Sequence, residues 1–200
     1  MKFLLLLFLF FYKIPVMRIK PHIEMNKPIV MVGLMGAGKT SVGRALARNL
    51  GIPFVDSDKE IEKAAGCSVV DIFAMYGEQE FRRVEQKVIE RIIDTPPLVK
   101  VISTGEGAFI TKSVRQTVLE KALTIWLKAD LELLVKRTNF RQTRPQLLNT
   151  DSRKILEQLI KELTTLVITD PTMIPTAMSI ALPLLINVLN SLNIFIFVLL

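Results

Sequence analysis

The sequence predicts an α/β fold, a three-layer α/β/α arrangement with a five-stranded parallel sheet. Short apolar runs rich in Val and Ile alternate with amphipathic segments from residue 28 to residue 162. Several of these runs end in glycine or in closely spaced acids, which is where ligands sit in a parallel sheet covered by helices on both faces. At 200 residues the chain is long enough for one such domain and too short for two. The last strand is the one element that the pattern does not place.

Pro28 to Gly33 (PIVMVG) reads as the first strand, and Lys39 to Leu50 as a helix with Val42, Leu46 and Leu50 on one side. Ile52 to Val55 is a second strand, followed by Asp56 and Asp58. Ser68 is placed to cap a helix through Val69, Ile72 and Phe73, and a long amphipathic helix is expected from about Glu78 to Ile93. Val99 to Ser103 is a third strand running into Gly105. Leu123 to Leu127 is a fourth, with a helix over Asp130 to Lys136.

The net charge is +7, with one His and one Cys. That excludes a disulfide framework and a zinc site built on Cys/His spacing, and it fits a reducing, cytoplasmic compartment. The basic balance suits an anionic partner without choosing among nucleotides, small acids, nucleic acid and a membrane surface.

Gly33, Leu34, Met35, Gly36, Ala37, Gly38, Lys39 and Thr40 match G-x-x-x-x-G-K-[ST] between a strand and a helix. Gly33, Gly36, Ala37 and Gly38 let backbone N–H groups close around a polyphosphate, and the helix start at Thr40 and Ser41 adds its partial positive charge. Lys39 supplies a point charge for the β and γ phosphates, and Thr40 a hydroxyl for Mg²⁺. An ordinary glycine turn explains Gly36 and Gly38 but not a Lys-Thr pair at the first helical turn. A phosphate loop leaves the phosphate acceptor open.

From Met25 to Glu162 the chain resembles bacterial shikimate kinases, relatives of the nucleoside monophosphate kinases. The motifs carrying the resemblance are GLMGAGKTSVGRALA, FVDSD (Phe54 to Asp58), GEQEFRRVE (Gly77 to Glu85), ISTGEGAF (Ile102 to Phe109) and RTNFRQTRPQLL (Arg137 to Leu148). The resemblance implies a P-loop kinase fold and transfer of the γ-phosphoryl of MgATP to the 3-hydroxyl of shikimate, feeding chorismate and aromatic amino-acid synthesis. It implies that Asp56 holds the Mg²⁺ hydration shell while Asp58 binds and deprotonates the acceptor, both ionised. On a strand, acids at i and i+2 point the same way, here into the cleft. A polar turn or a helix N-cap is the alternative for this pair.

By the same resemblance Arg82 reads the acceptor carboxylate, for which a planar guanidinium is suited and a lysine is not. A solvated helix face of traded ion pairs is the alternative. Gly105, Glu106 and Gly107 stand where the family usually has three glycines. Glu106 either turns outward or damages acceptor binding, through bulk and like-charge repulsion. Arg144 would swing over the nucleotide as part of a lid, one residue longer than usual because of Gln146, and Arg137 would lie against the adenine. A nucleic-acid patch over Lys136 to Lys154 is disfavoured, since only Phe140 interleaves with its basic residues. A monomer is expected.

Two apolar ends flank this region. Phe3 to Tyr12 is uncharged, too short for a bilayer and followed by no small-x-small cleavage site. The favoured expectation treats residues 1–24 as upstream read-through before a start at Met25, against a genuine targeting segment. Residues 163–200 lack Lys, Arg, Tyr and Glu, and the family's late arginine for the acceptor carboxylate is missing there. A reading-frame shift near 163, a membrane segment, and a buried strand and helix using Leu166 to Ile168 are the three expectations for this tail. Membrane contact is expected only through these ends.

Overall fold

The structure is a computed structural model and describes residues 26–138, 152–169 and 194–199. Five strands, β1 (Ile29–Val32), β2 (Phe54–Asp56), β3 (Val101–Ser103), β4 (Leu123–Ala129) and β5 (Ile194–Leu199), form one sheet in the order β2-β3-β1-β4-β5. The first four are parallel, and β1 is buried along its whole length, as a central strand covered on both faces must be.

The fifth strand departs from the expected parallel arrangement, because β5 runs antiparallel to β4, pairing Thr124 with Leu199 and Ala129 with Ile194. Leu166 to Ile168 is not a strand. It lies in the helix Ser152–Thr169 (α6), whose earlier turns bury Leu156 and Leu163 seven residues apart, so the apolar face carries the helix across the change in composition at 163.

The remaining helices are α1 (Lys39–Leu50), α2 (Ser57–Ala65), α3 (Val69–Asp94), α4 (Lys112–Lys121) and α5 (Leu131–Thr138). α1 has the expected bounds. α3 joins the two helices expected around residue 77 into one, interrupted at Gly77, which has φ 78° and ψ 175°. Its N-terminus is closed by a capping box: Ser68 Oγ accepts from Asp71 N at 3.1 Å and Asp71 Oδ2 accepts from Ser68 N at 3.2 Å. Its C-terminus is held by Lys100, whose buried Nζ donates to the carbonyls of Ile92 and Thr95 at 2.6 and 2.5 Å. Burial lowers the Lys100 pKa. This clamp ties α3 to the residue before β3 and so sets α3 against the strand edge that forms the site.

The carboxyl ends of β1, β2 and β3 lie side by side, with Asp56 in register with Ser103 and Ser103 in register with Met31. Among the described residues no helix is long and apolar enough to cross a membrane. Residues 1–24, Gln146 and most of the apolar tail lie outside the described residues.

Candidate active site

The loop from Gly33 to Gly38 leaves β1 and enters α1 directly. Gly33 has φ 142°, and a Cβ there would sit 2.5 Å from the Leu127 carbonyl oxygen of β4, so only glycine lets the loop pass that close. Gly38 is the N-cap of α1 in the left-handed region, and no side chain caps the helix. The first-turn N–H groups, Thr40 and Ser41 included, therefore face the loop's concavity, which is what binds an anion. Lys39 is buried, with Nζ donating to the carbonyls of Gly33 and Leu34 at 2.7 and 3.0 Å. Its charge is stored over the loop it would serve. Arg137 from α5 closes the other side, NH1 donating to the Gly36 carbonyl at 2.9 Å.

Beside the loop, Thr40 Oγ1 donates to Asp56 Oδ2 at 3.1 Å and lies 3.4 Å from Ser103 Oγ. Asp56 occupies the N-cap position of α2, yet its side chain makes no capping bond. Its carboxylate is turned to the phosphate loop instead. Two hydroxyls and one carboxylate suit Mg²⁺, which keeps several waters and takes its other ligands from phosphate. Among the described residues there is no cluster of three or more His, Cys, Asp or Glu able to hold a metal ion.

The geometry expected for Asp58 is corrected. β2 ends at Asp56 and α2 begins at Ser57, so Asp58 reaches the site from the first helical turn and not by strand alternation. Ser57 is fully buried between the two acids, and its Oγ accepts from Gly105 N at 3.1 Å, fixing the β3 loop against α2.

Around that loop lies the second half of the site. A Cβ on Gly105 would meet Glu85 Oε1 at 2.5 Å and Asp58 Oδ1 at 2.8 Å, and one on Gly107 would fall inside contact distance of the Arg82 guanidinium. Arg82 pairs with Glu85 at 2.8 Å and with Glu78 at 3.2 Å. Arg83 with Glu80, and Arg82 with Glu78, make the solvated helix-face pairs that such charge runs usually represent, and Arg82 alone adds a buried partner in Glu85. Glu85 is fully buried, and its Oε1 has no hydrogen-bond partner among the described residues. Burial raises the Glu85 pKa, Arg82 opposes this, and the charges of Asp58 and Glu106 add to the rise. Arg82 is held above its ordinary value, because the pull of Glu85 and Glu78 exceeds the effect of burial.

Glu106 turns inward. It is 8 % exposed, which removes the outward alternative. The loop on either side of it is closely packed, because a Cβ added at either flanking glycine would clash with the cluster.

Arg144 lies outside the described residues. Sequence reasoning passed over Ser57, Ser103 and Glu85. Ser103 had a signal, as the residue that ends β3 beside Asp56. Glu85 looked like part of an exposed helical charge run, and only the fold buries it.

A glycine loop between a central parallel strand and a helix, backed by a carboxylate from the neighbouring strand end, defines a P-loop kinase. The family model for shikimate kinase matches residues 35–176. The shikimate kinase of Mesorhizobium japonicum is 44 % identical over 151 residues, 76 % of this chain and 73 % of the relative. That of Paramagnetospirillum magneticum is 49 % identical over 138 residues, 69 % and 70 % of the two chains. Among solved structures, the Acinetobacter baumannii shikimate kinase in complex with shikimate is 32 % identical, with a TM-score of 0.69, covering 82 % of this chain and 92 % of that one. The chain belongs to the shikimate kinase family.

Proposed function

We propose that the chain transfers the γ-phosphoryl of ATP, with Mg²⁺, to the 3-hydroxyl of shikimate. The observation that carries this reading is the close approach of the Arg82 guanidinium and the Asp58 carboxylate to one short glycine segment, 105–107, beside the phosphate loop. A cation that reads a carboxylate and an acid that reads a hydroxyl are thereby set at one pocket, which fits a small hydroxy acid.

Nucleotide and metal supply the phosphoryl group and part of the charge that neutralises it. Lys39 leaves the Gly33 and Leu34 carbonyls for the phosphates, adding a positive charge where negative charge develops. Thr40 and Asp56 hold the metal and its waters, with Ser103 supporting Thr40. Asp58 takes the proton of the attacking hydroxyl as its oxygen bonds to phosphorus and the bond to the ADP oxygen breaks. Arg82 anchors the acceptor carboxylate, while Gly105 and Gly107 keep the β3 loop thin enough for the acceptor to approach. Arg137 steadies the loop for the adenine side, and Arg144 is assigned the lid role that the family pattern gives it.

A panel assay tests this: ADP release from the full-length chain with MgATP and shikimate, beside gluconate and nucleoside monophosphates. Release dependent on shikimate alone supports the reading, and a preference for another acceptor overturns it. A second reading, an ATP-binding remnant without turnover, is favoured by the inward Glu106. It predicts nucleotide binding with no acceptor-dependent release.

A further inference from the structure

The two halves of the site follow neighbouring strands, the phosphate loop after β1 and the acceptor loop after β3, and phosphoryl transfer needs them at one fixed separation. Regular pairing holds these two strands together only as far as Met31 and Ser103, whereas on the other flank of β1 it continues to Val32 and Trp126. The first residue beyond the β1–β3 pairing is Thr104, buried at the base of the acceptor loop. Its backbone N–H donates to the Met31 carbonyl at 3.2 Å, the long end of the range for such a bond, and its hydroxyl donates to the same oxygen at 3.0 Å. One side chain thus doubles the last tie between the strands. Met31 lies just before Gly33, where the phosphate loop begins. On the other side of Thr104, Gly105 N donates to the buried Ser57 hydroxyl, which lies between Asp56 and Asp58 in the chain. A continuous path of bonds therefore runs from the strand that leads into the phosphate loop, through Thr104 and Gly105, to the segment that carries both acids.

We propose that Thr104 is a positioning residue for phosphoryl transfer: its hydroxyl, by holding the Met31 carbonyl, sets the acceptor loop and Asp58 at the distance from the phosphate loop that in-line attack needs. It acts through Gly105 and Ser57, not by contact with either substrate. The inference rests on the reading that ATP and shikimate are the two substrates. Without the hydroxyl, the backbone N–H alone holds the loop, by one long bond about which the loop can tilt. Each half-site keeps its own residues, Lys39 and Thr40 for the nucleotide and Arg82 for the acceptor, so what changes is the alignment of one substrate with the other. A loss of that kind falls on the rate of the chemical step and not on either affinity. A buried threonine that only satisfies its own hydroxyl has a different signature, a change in stability with the rate of the folded enzyme unchanged.

The test is single-turnover phosphoryl transfer by the full chain at saturating MgATP and shikimate, with the KM for each substrate and the thermal midpoint measured beside it. Thr104→Val and Thr104→Ala remove the hydroxyl, and Thr104→Ser keeps it. The rate should fall by about tenfold in the first two and stay within about twofold in Thr104→Ser, with both KM values within about threefold throughout. Thr104→Ala and Thr104→Ser differ from each other only in the hydroxyl, so that pair decides the matter if Thr104→Val does not fold. Ser57→Ala cuts the same path beyond Gly105, and combining it with Thr104→Ala should cost less than the product of the two single losses. Equal rates in Thr104→Ala and Thr104→Ser, a higher KM for shikimate with the rate unchanged, or failure of Thr104→Ala to fold where Thr104→Ser folds overturns the proposal. Shikimate turnover by the unmodified chain together with those equal rates overturns this inference alone and leaves the activity standing. Absence of shikimate-dependent turnover in the unmodified chain while ATP still binds overturns the inference and the acceptor assignment together.

Discussion

Replacing Gly105 by alanine tests whether the acceptor site is as tightly built as its geometry implies. The new methyl would lie 2.5 Å from Glu85 Oε1 and 2.8 Å from Asp58 Oδ1, short by 0.9 and 0.6 Å of the 3.4 Å at which ordinary contact begins. The backbone cannot yield easily, because Gly105 N is bonded to the buried Ser57 hydroxyl. Glu85 cannot step aside either, being fully buried with its other oxygen on Arg82. Asp58, the proposed base and only half-buried, is the group left to move, by 0.6 Å for its own overlap and by more as the methyl shifts away from Glu85. A misplacement approaching 1 Å costs about 100-fold in rate. Overpacking at a buried site adds about 1 to 3 kcal/mol of destabilisation. The assay is kcat for shikimate-dependent ADP release, read beside the thermal midpoint and the affinity for ATP. The expected result is a kcat lower by about two orders of magnitude with ATP affinity retained, since the phosphate loop is untouched. A kcat within about twofold of the unmodified chain would refute the placement of Asp58 against this loop.

Three other outcomes follow from the same geometry. Arg82→Lys keeps the charge and loses the planar fork, so the KM for shikimate should rise by about ten- to a hundredfold with kcat less affected, measured by initial rates. Lys39→Met removes the cation stored on the Gly33 and Leu34 carbonyls and should lower kcat by at least about a hundredfold, which single-turnover kinetics would separate from weaker ATP binding. Glu85 titrates above the ordinary 4.5, so the folded state holds its proton more tightly than the unfolded chain does. The stability this contributes is present below 4.5 and is lost as pH rises through the raised value. Denaturant midpoints taken across that window should lose this component in Glu85→Gln.

The parts of the molecule most legible in the sequence were those fixed by local chemistry. The phosphate loop could be read residue by residue because each glycine answers a backbone demand, and α1 has the bounds its periodicity required. Ser68 was legible as a cap for the same reason. What escaped depended on tertiary placement. Asp58 sits on a helix because β2 stops after three residues, a boundary that two acids spaced i and i+2 do not reveal. Glu85 and Arg83 lie two residues apart in one charge run, and only the packing of α3 against the β3 loop buries the first and exposes the second. Whether Glu106 points in or out follows from its setting, between two glycines where a Cβ would clash with other side chains, and not from its own identity. The tail's apolar composition masked a helical face that runs through Leu163, and β5 joins the sheet from a part of the chain where no strand was expected.

The central claim is that the phosphoryl group of ATP is delivered to one hydroxyl of shikimate. Phosphorus–proton correlation NMR on the product of the full-length chain with MgATP and shikimate tests it most directly. The account predicts a single phosphate ester whose phosphorus couples to the proton at carbon 3, formed in step with ADP. Consumption of ATP yielding only inorganic phosphate, or an ester at another position, would contradict it.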